Sequence, residues 1–318
     1  MTKKAKSRFV KGLKKFMKSQ SSLVGFVVLV IIASFLHDKF FTVLNLTNML
    51  RQASMIGLVA IGMTFVILTG GIDLSVGATV ALTAMVATLS AEMPIIIILI
   101  VPLAAGALIG LLNGVMISRL NVQAFIATLS VMLLARGLAF VISDAESVKG
   151  VFPDVMKQGA RANFLGIPLY GIVFAVVVLI AMLVLGYTGF GKKVYAVGGN
   201  EEAAKMMGIK TKTITTLVYV ICGMLSGFAG LLISLRMGSA LAYTAQGWEL
   251  TAIASVVIGG TLLTGGVGKV SGTFFGVMIL QIIANSINLQ GTLEYWYVWF
   301  VTGILLLIVI LFQKRISH

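Results

Sequence analysis

Few residues of this 318-residue chain can do chemistry: ten carboxylates, two histidines (His37 and His318) and one cysteine, Cys222. The carboxylate in the most unusual setting is Asp73, within Thr69-Gly-Gly-Ile-Asp-Leu-Ser-Val-Gly77 and flanked on both sides by long apolar runs. A carboxylate at membrane depth is a functional candidate by default. Asp and Ser just before a run starting near Val76 are also the residue types that cap a helix. Two roles stay open for Asp73, capping and contact with a substrate, and they do not exclude each other. Thr69, Asp73, Ser75, Glu249, Asn285 and Asn288 together form the candidate polar lining of a pathway through the protein.

Other chemistries lack their residues. Gly268-Lys269 is followed by Val270 and lacks the glycine spacing of a phosphate-binding loop, so no ATP site of that kind is expected. There is no His-Glu-x-x-His and no Cys/His cluster, so neither a metal nor a cofactor is expected. Intramembrane proteolysis would require a second aspartate or a histidine at depth. Cys222 lies in an apolar tract and reads as a small packing residue. The chain is expected not to be an enzyme.

The second informative stretch is residues 189–212, a basic, glycine-punctuated polar island in a sequence otherwise suited to lipid. Within it, Asn200, Glu201, Glu202, Ala203, Ala204 and Met207 lie between Gly199 and Gly208, which predicts a short helix with a defined start and stop. A polar segment of this size must lie outside the hydrocarbon, where it is free to meet a water-soluble partner.

The elements that must position these residues are membrane helices. Hydrophobic residues make up 59% of the chain, charged ones 11%, and mean hydropathy is +1.07. The apolar tracts approach the ~20 residues of a transmembrane helix and lack the alternation of a membrane barrel. The fold class expected is all-α, a polytopic helical bundle with broken helices. Ten spans are predicted, roughly at 22–37, 54–70, 76–91, 94–118, 121–142, 169–188, 213–234, 249–264, 271–289 and 293–312.

The net charge of +14 is concentrated at one terminus: eight of the 24 Lys and Arg lie in the first 18 positions, and no acidic residue precedes Asp38. Phe9, Leu13, Phe16 and Met17 recur among them at helical spacing, so residues 1–21 read as a basic amphipathic helix on anionic lipid. Residues 22–318 form the membrane domain. Nucleic-acid binding is excluded because no soluble basic surface accompanies this helix. The positive-inside rule places both termini and the 189–212 island in the cytosol, with segment 143–168 as the largest loop on the other side. That segment reads as a plain connection, a small gate or a docking surface.

Smaller signals complete the picture. Leu68-Thr-Gly-Gly71 and Leu263-Thr-Gly-Gly266 repeat one phrase, and glycine pairs that break helices at depth are a recurring way to build transport sites. Gly106, Gly110 and Gly114 lie on one helix face, as do the pairs Gly223/Gly227 and Gly272/Gly276; these faces suit close helix packing within the subunit or a dimer seam. Arg136 is expected to reach a carbonyl or carboxylate. Tyr295, Trp296, Tyr297 and Trp299 read as an interfacial belt.

Three segments together resemble one family. Ile67–Gly77, Val194–Ala204 with Met207-Gly208-Ile209, and Glu249–Thr261 look like the ribose-type permeases of bacterial ATP-binding cassette (ABC) importers, and Val122–Leu129 and Ile287-Asn-Leu289 are similar too. The resemblance runs from about residue 20 to 312. It implies a ten-helix, multi-pass subunit of the bacterial inner membrane that translocates a monosaccharide such as a ribose-like pentose. The implied partners are a second permease chain, two cytosolic ATP-binding subunits and an extracytoplasmic sugar-binding protein. It also implies that segment 199–209 is the coupling helix seated on the ATPase. A self-contained secondary transporter or channel is the alternative, and the shaped cytosolic segment counts against it.

Overall fold

A computed structural model describes residues 21–291, 294 and 296–316. The basic amphipathic helix expected over 1–21, Tyr295 and His318 fall outside the described residues or at their edge. Helices dominate: α1 (Ser21–Leu36), α2 (Val43–Leu68), α3 (Val76–Leu89), α4 (Ile95–Ser118), α5 (Ala124–Ser143), α6 (Asp154–Arg161), α7 (Leu169–Tyr187), α8 (Gly189–Gly199), α9 (Glu201–Met206), α10 (Thr211–Met237), α11 (Trp248–Ile258), α12 (Val270–Gln290) and α13 (Trp296–Ile316). The protein is a polytopic helical membrane bundle. Six helices (α2, α4, α5, α7, α10 and α12) are long and apolar enough to cross a membrane, and α1, α3, α11 and α13 are shorter apolar helices.

Four two-residue strands depart from the all-helical expectation. They form the antiparallel pairs β1 (Val148–Lys149) with β4 (Ser239–Ala240), and β2 (Asn163–Phe164) with β3 (Ile167–Pro168). Both pairs lie where the segment 143–168 folds over one end of the bundle. Phe152 of that segment is 1% exposed and packs on Ala87, Ala91, Ile98 and Leu231, so this connection is a packed cap.

The core is built around α10, which packs on α4, α3 and α2. Glycine makes the tightest of these contacts possible. A Cβ on Gly106, Gly110 or Gly114 of α4 would run into the α10 backbone at Gly223, Tyr219 and Thr216. Gly272 and Gly276 of α12 meet the backbone of Gly259 and Ser255 in the same manner. The small-residue faces therefore serve packing within the subunit, where helices lacking a hydrophobic drive in lipid gain dispersion by close approach.

Two of the shorter apolar helices start inside the bundle, α3 after the Gly70-Gly71 turn and α11 after a stretch without a glycine pair. At about 1.5 Å per residue, the eleven residues of α11 span only about 16 Å, half the hydrocarbon thickness. The remainder is the turn-rich stretch 241–247, stapled by Arg136 of α5, which donates to the carbonyls of Ala242 and Thr244. α3 likewise starts inside the bundle after the turn 69–75, and a Cβ on its Gly77 would meet the Glu249 carboxylate and the Ala245 carbonyl.

Three boundaries differ from expectation. α2 begins at Val43, eleven residues before the predicted start, because Thr42 caps it and accepts from Asn45 N. α11 stops at Ile258, because Gly259 packs against Gly272. The island from residue 189 is helical in its first part: Thr188 caps α8 and accepts from Gly191 N at 3.2 Å.

Candidate functional site

The two ends of the bundle carry two different sites. α2 links them: Arg51 near its start donates to Arg161 O and Asn163 Oδ1 in the cap (3.2 and 3.0 Å). Leu68 O at its finish accepts from Gly266 N at the far end (3.0 Å).

Toward the capped end, α2, α10, α11, α12 and α13 line a partly open cavity of about 470 Å³, within the ~300–1,000 Å³ range of small-molecule sites. Its polar groups include Gln52, Gln281, Arg236, Thr251 and Ser255, and its aromatic walls are Trp248 and Trp299. Gln281 Nε2 donates to Gln52 Oε1 at 3.0 Å, tying α12 to α2 across the cavity wall. Two further ties lie along the same seam. Asn45 and Asn285 exchange amide hydrogen bonds at 3.1 and 2.7 Å, and the Thr64 and Thr273 hydroxyls bond at 2.8 Å. Amide side chains offer both donors and acceptors, hydroxyls offer both in one atom, and indole faces offer broad apolar area. Together they match a ligand with hydroxyls around an apolar edge.

None of the six residues expected to line a pathway is among those lining this cavity. Thr69 turns back on its own helix end, its hydroxyl donating to Val66 O at 2.8 Å. Asp73 is 1% exposed; its Oδ1 accepts from Ser75 N (2.9 Å), Ser75 Oγ (2.6 Å) and Asn113 Nδ2 (3.3 Å). Beside it, Tyr219 donates its hydroxyl to Ile72 O at 3.0 Å. Asp73 and Ser75 thus hold the turn that starts α3, with Asn113 of α4 as a partner. Glu249 follows the cavity residue Trp248 but faces Gly77, its Oε2 buried without a hydrogen-bond partner. Asn285 is engaged with Asn45, and Asn288 is exposed. The belt residues divide: Trp299 lines the cavity, with Trp296 edge-on to it at 5.3 Å.

At the opposite end, α9 is the predicted short helix. Asn200 caps it, accepting from Ala203 N at 2.9 Å. Gly208, at φ +81°, terminates it in the left-handed conformation that glycine adopts freely. Glu201 pairs with Lys205 at 2.9 Å and accepts from the Thr211 hydroxyl at 3.1 Å. The Lys205 hydrogen bond holds the Glu201 carboxyl below its ordinary pKa, with Thr211 and the charges of Lys205 and Lys212 acting in the same sense against partial burial. Only Ala204 of this helix is buried, at 0% exposure, while Met206 and Met207 are 90% and 69% exposed. α9 is thus held to the bundle by the inward Ala204 and the Glu201–Thr211 bond, and leaves Glu202, Met206 and Met207 exposed.

Residues 45–310 match the family described as branched-chain amino acid transport system / permease component. The chain is 40% identical over 307 residues to the ribose import permease protein RbsC of Escherichia coli K12, covering 95% of this chain and 96% of that protein. It is 39% identical over 282 residues to the inner membrane ABC transporter permease protein YjfF of the same strain, covering 85% and 83%. It is 33% identical over 325 residues to the fructose import permease protein FruG of Bifidobacterium longum, covering 98% and 95%. No solved structure matches the chain.

Proposed function

We propose how this chain, which belongs to the branched-chain amino acid transport system / permease component family and is the permease subunit of an ABC sugar importer, moves its substrate across the inner membrane. The observation that carries the proposal is the separation of its two sites: a polar, aromatic-walled cavity at one end, and at the other the exposed helix α9, which contacts α8 and α10.

ATP-binding subunits supply the energy and a substrate-binding protein supplies the sugar. α9 docks in a groove of the ATP-binding subunit, with Met206 and Met207 as apolar anchors and Glu202 as a charged contact. The cavity receives the monosaccharide released at the capped face. Trp248 and Trp299 cover its C–H edges, while Gln52, Gln281, Thr251 and Ser255 exchange hydrogen bonds with its hydroxyls. A site of this kind needs to bind weakly, because the sugar must leave it. Asp73, Ser75 and Asn113 shape the start of α3 and do not contact the sugar. The assembly contains a second permease chain. Each nucleotide state of the ATPase then favours one arrangement of the bundle, and the affinity difference between states sets the drive.

The test is reconstitution of the chain in liposomes with its cognate ATP-binding and sugar-binding proteins, followed by labelled ribose and fructose uptake. ATP-dependent uptake of one sugar is expected. Replacing Glu201 and Glu202 by Lys together is expected to abolish co-purification of the ATP-binding subunit while the permease remains folded. Uptake driven by an ion gradient in liposomes without that subunit would overturn the importer reading.

A further inference from the structure

The two Leu-Thr-Gly-Gly turns, far apart in the sequence, touch each other and touch the end of α8. Gly266 N donates to Leu68 O at 3.0 Å, joining the second turn to the end of α2. Gly198, next to last in α8, sits over this hydrogen bond. A Cβ there would strike the Leu68 carbonyl oxygen and lie 2.6 Å from Gly266 N. A Cβ on Gly265 would lie 2.7 Å from Gly70 N and 3.0 Å from Gly198 O, and one on Gly266 would lie 2.9 Å from Gly199 N and Cα. Three backbone segments therefore meet with no side chain between them. A fourth tie is Tyr195 of α8, whose hydroxyl donates to Gly268 O at 2.9 Å, three residues past the second turn's first glycine.

Each segment leads somewhere. α8 runs directly into α9 through the Asn200 cap. The first turn ends α2, whose earlier residues Gln52, Met55 and Ile56 line the cavity. The second turn leads through Lys269 into α12, whose Leu280, Gln281 and Ala284 line the facing wall. Side chains in a packed interior absorb small displacements by changing rotamer, whereas backbones in direct contact have no rotamer to change. A push on α9 thus reaches both walls of the cavity through peptide groups.

We propose that Gly198 with Gly70, Gly265 and Gly266 forms a backbone joint that transmits movement of α9 to α2 and α12, making these glycines positioning residues for transport. The proposal rests on the reading of α9 as the docking helix and of the chain as an importer. It assigns the joint to transmission, not to docking and not to sugar contact.

The experiment uses the full reconstituted complex and three variants, reading co-purification of the ATP-binding subunit, ATPase rate and sugar taken up per ATP hydrolysed. Gly198→Ala is expected to keep docking and hydrolysis but to lower uptake per ATP by roughly tenfold, within the range over which single substitutions alter coupling between sites. Tyr195→Phe, which removes one hydroxyl and leaves the ring, is expected to lower it by about twofold. Gly189→Ala, at a position on the same helix where a Cβ meets nothing within 4 Å, is expected to match the wild type. Wild-type uptake per ATP in Gly198→Ala would overturn the joint, as would loss of docking in that variant or equal impairment of Gly189→Ala. Should Gly198→Ala fail to accumulate in the membrane, Tyr195→Phe decides, and an unchanged ratio there overturns the proposal. ATP-independent uptake by the wild type would instead overturn the importer reading beneath it.

Discussion

α2 and α12 are joined in two ways, by side chains along their length and by bare backbone where their continuations meet. Along the helices they are held by side chains: the Gln52–Gln281 amide bond beside the cavity, the Asn45–Asn285 pair beyond it and the Thr64–Thr273 hydroxyl pair nearer the turns. At the other end their continuations touch through bare backbone, with Leu68 O bonded to Gly266 N and Gly198 pressed over both. A side-chain contact between amides can rearrange, because each amide offers alternative donors and acceptors to a sugar, to water or to its partner. A backbone contact with no room for a methyl group has no alternative arrangement that keeps the helices in place. On the proposed function, the helix pair yields beside the cavity and is unyielding where the glycine turns meet α8.

The sharpest way to break this comparison is to put a branched side chain into the rigid end. Gly265 is buried at φ +87°, and a Cβ there would lie 2.7 Å from Gly70 N. Gly265→Val is expected to cost several kcal/mol, combining about 1–3 kcal/mol of backbone strain with displacement of the first turn. Thermal unfolding in detergent, followed by loss of the monodisperse peak, checks this, and a melting temperature like the wild type's would show that the end is not rigid. A milder effect is expected at the yielding end. Trp299→Ala removes a cavity wall that is 42% exposed, so melting should barely move. Uptake at saturating binding protein should fall about fivefold, from loss of roughly 1 kcal/mol of aromatic contact. A large drop in melting with normal uptake would reverse the assignment of that wall. The smallest effect concerns pH. Because Glu201 is held below its ordinary pKa, the stabilisation of α9 by its ionised form is complete above the ordinary carboxylate range. It is lost only as pH falls through and below about 4. Co-purification of the ATP-binding subunit should therefore be constant between about pH 5 and 8 with respect to this group, and a Glu201→Gln variant should remove the acid-side decline.

How much of this was legible in the sequence follows the physics of each part. The apolar helices announce themselves because lipid offers no partner to a backbone amide, so every crossing must be a nearly continuous apolar run. The start of α2 does not, because residues 43–53 carry Asn45, Asn48, Arg51 and Gln52. Their polarity reads as loop until Asn285, Gln281 and the cap supply partners from far along the chain. α9 was legible because its stop signal Gly208 and its acidic first turn are local. α8 was not, because glycines at 189, 191, 198 and 199 argue against a helix, and only the cap from Thr188 and packing against the first turn explain it.

The cavity illustrates the same limit. Gln52 and Gln281 are amides in apolar helices, a signal that was present in the sequence but outranked there by the charges of Asp73 and Glu249. Trp299 lies among aromatics that suit a membrane interface equally well. What separates the two uses is the approach of Trp299 to within 3.5 Å of a Cβ position at Gly247, a contact between helix and turn that no local pattern encodes. For Asp73 the partner is local: its hydrogen bonds go to Ser75 two residues on and hold the turn before α3, whose start has no side-chain cap.

The attachment of α9 through Ala204 and Glu201 has a consequence for how such proteins diversify. The other residues of that helix are exposed and make no such tie, so their outward chemistry can be rewritten without disturbing the fold behind them. On the proposed docking role, Glu202, Met206 and Met207 form an exchangeable adaptor, one that can be matched to a different motor while the rest of the bundle stays as it is. Ala204 and Glu201 are the positions of this helix that such a refit must leave alone.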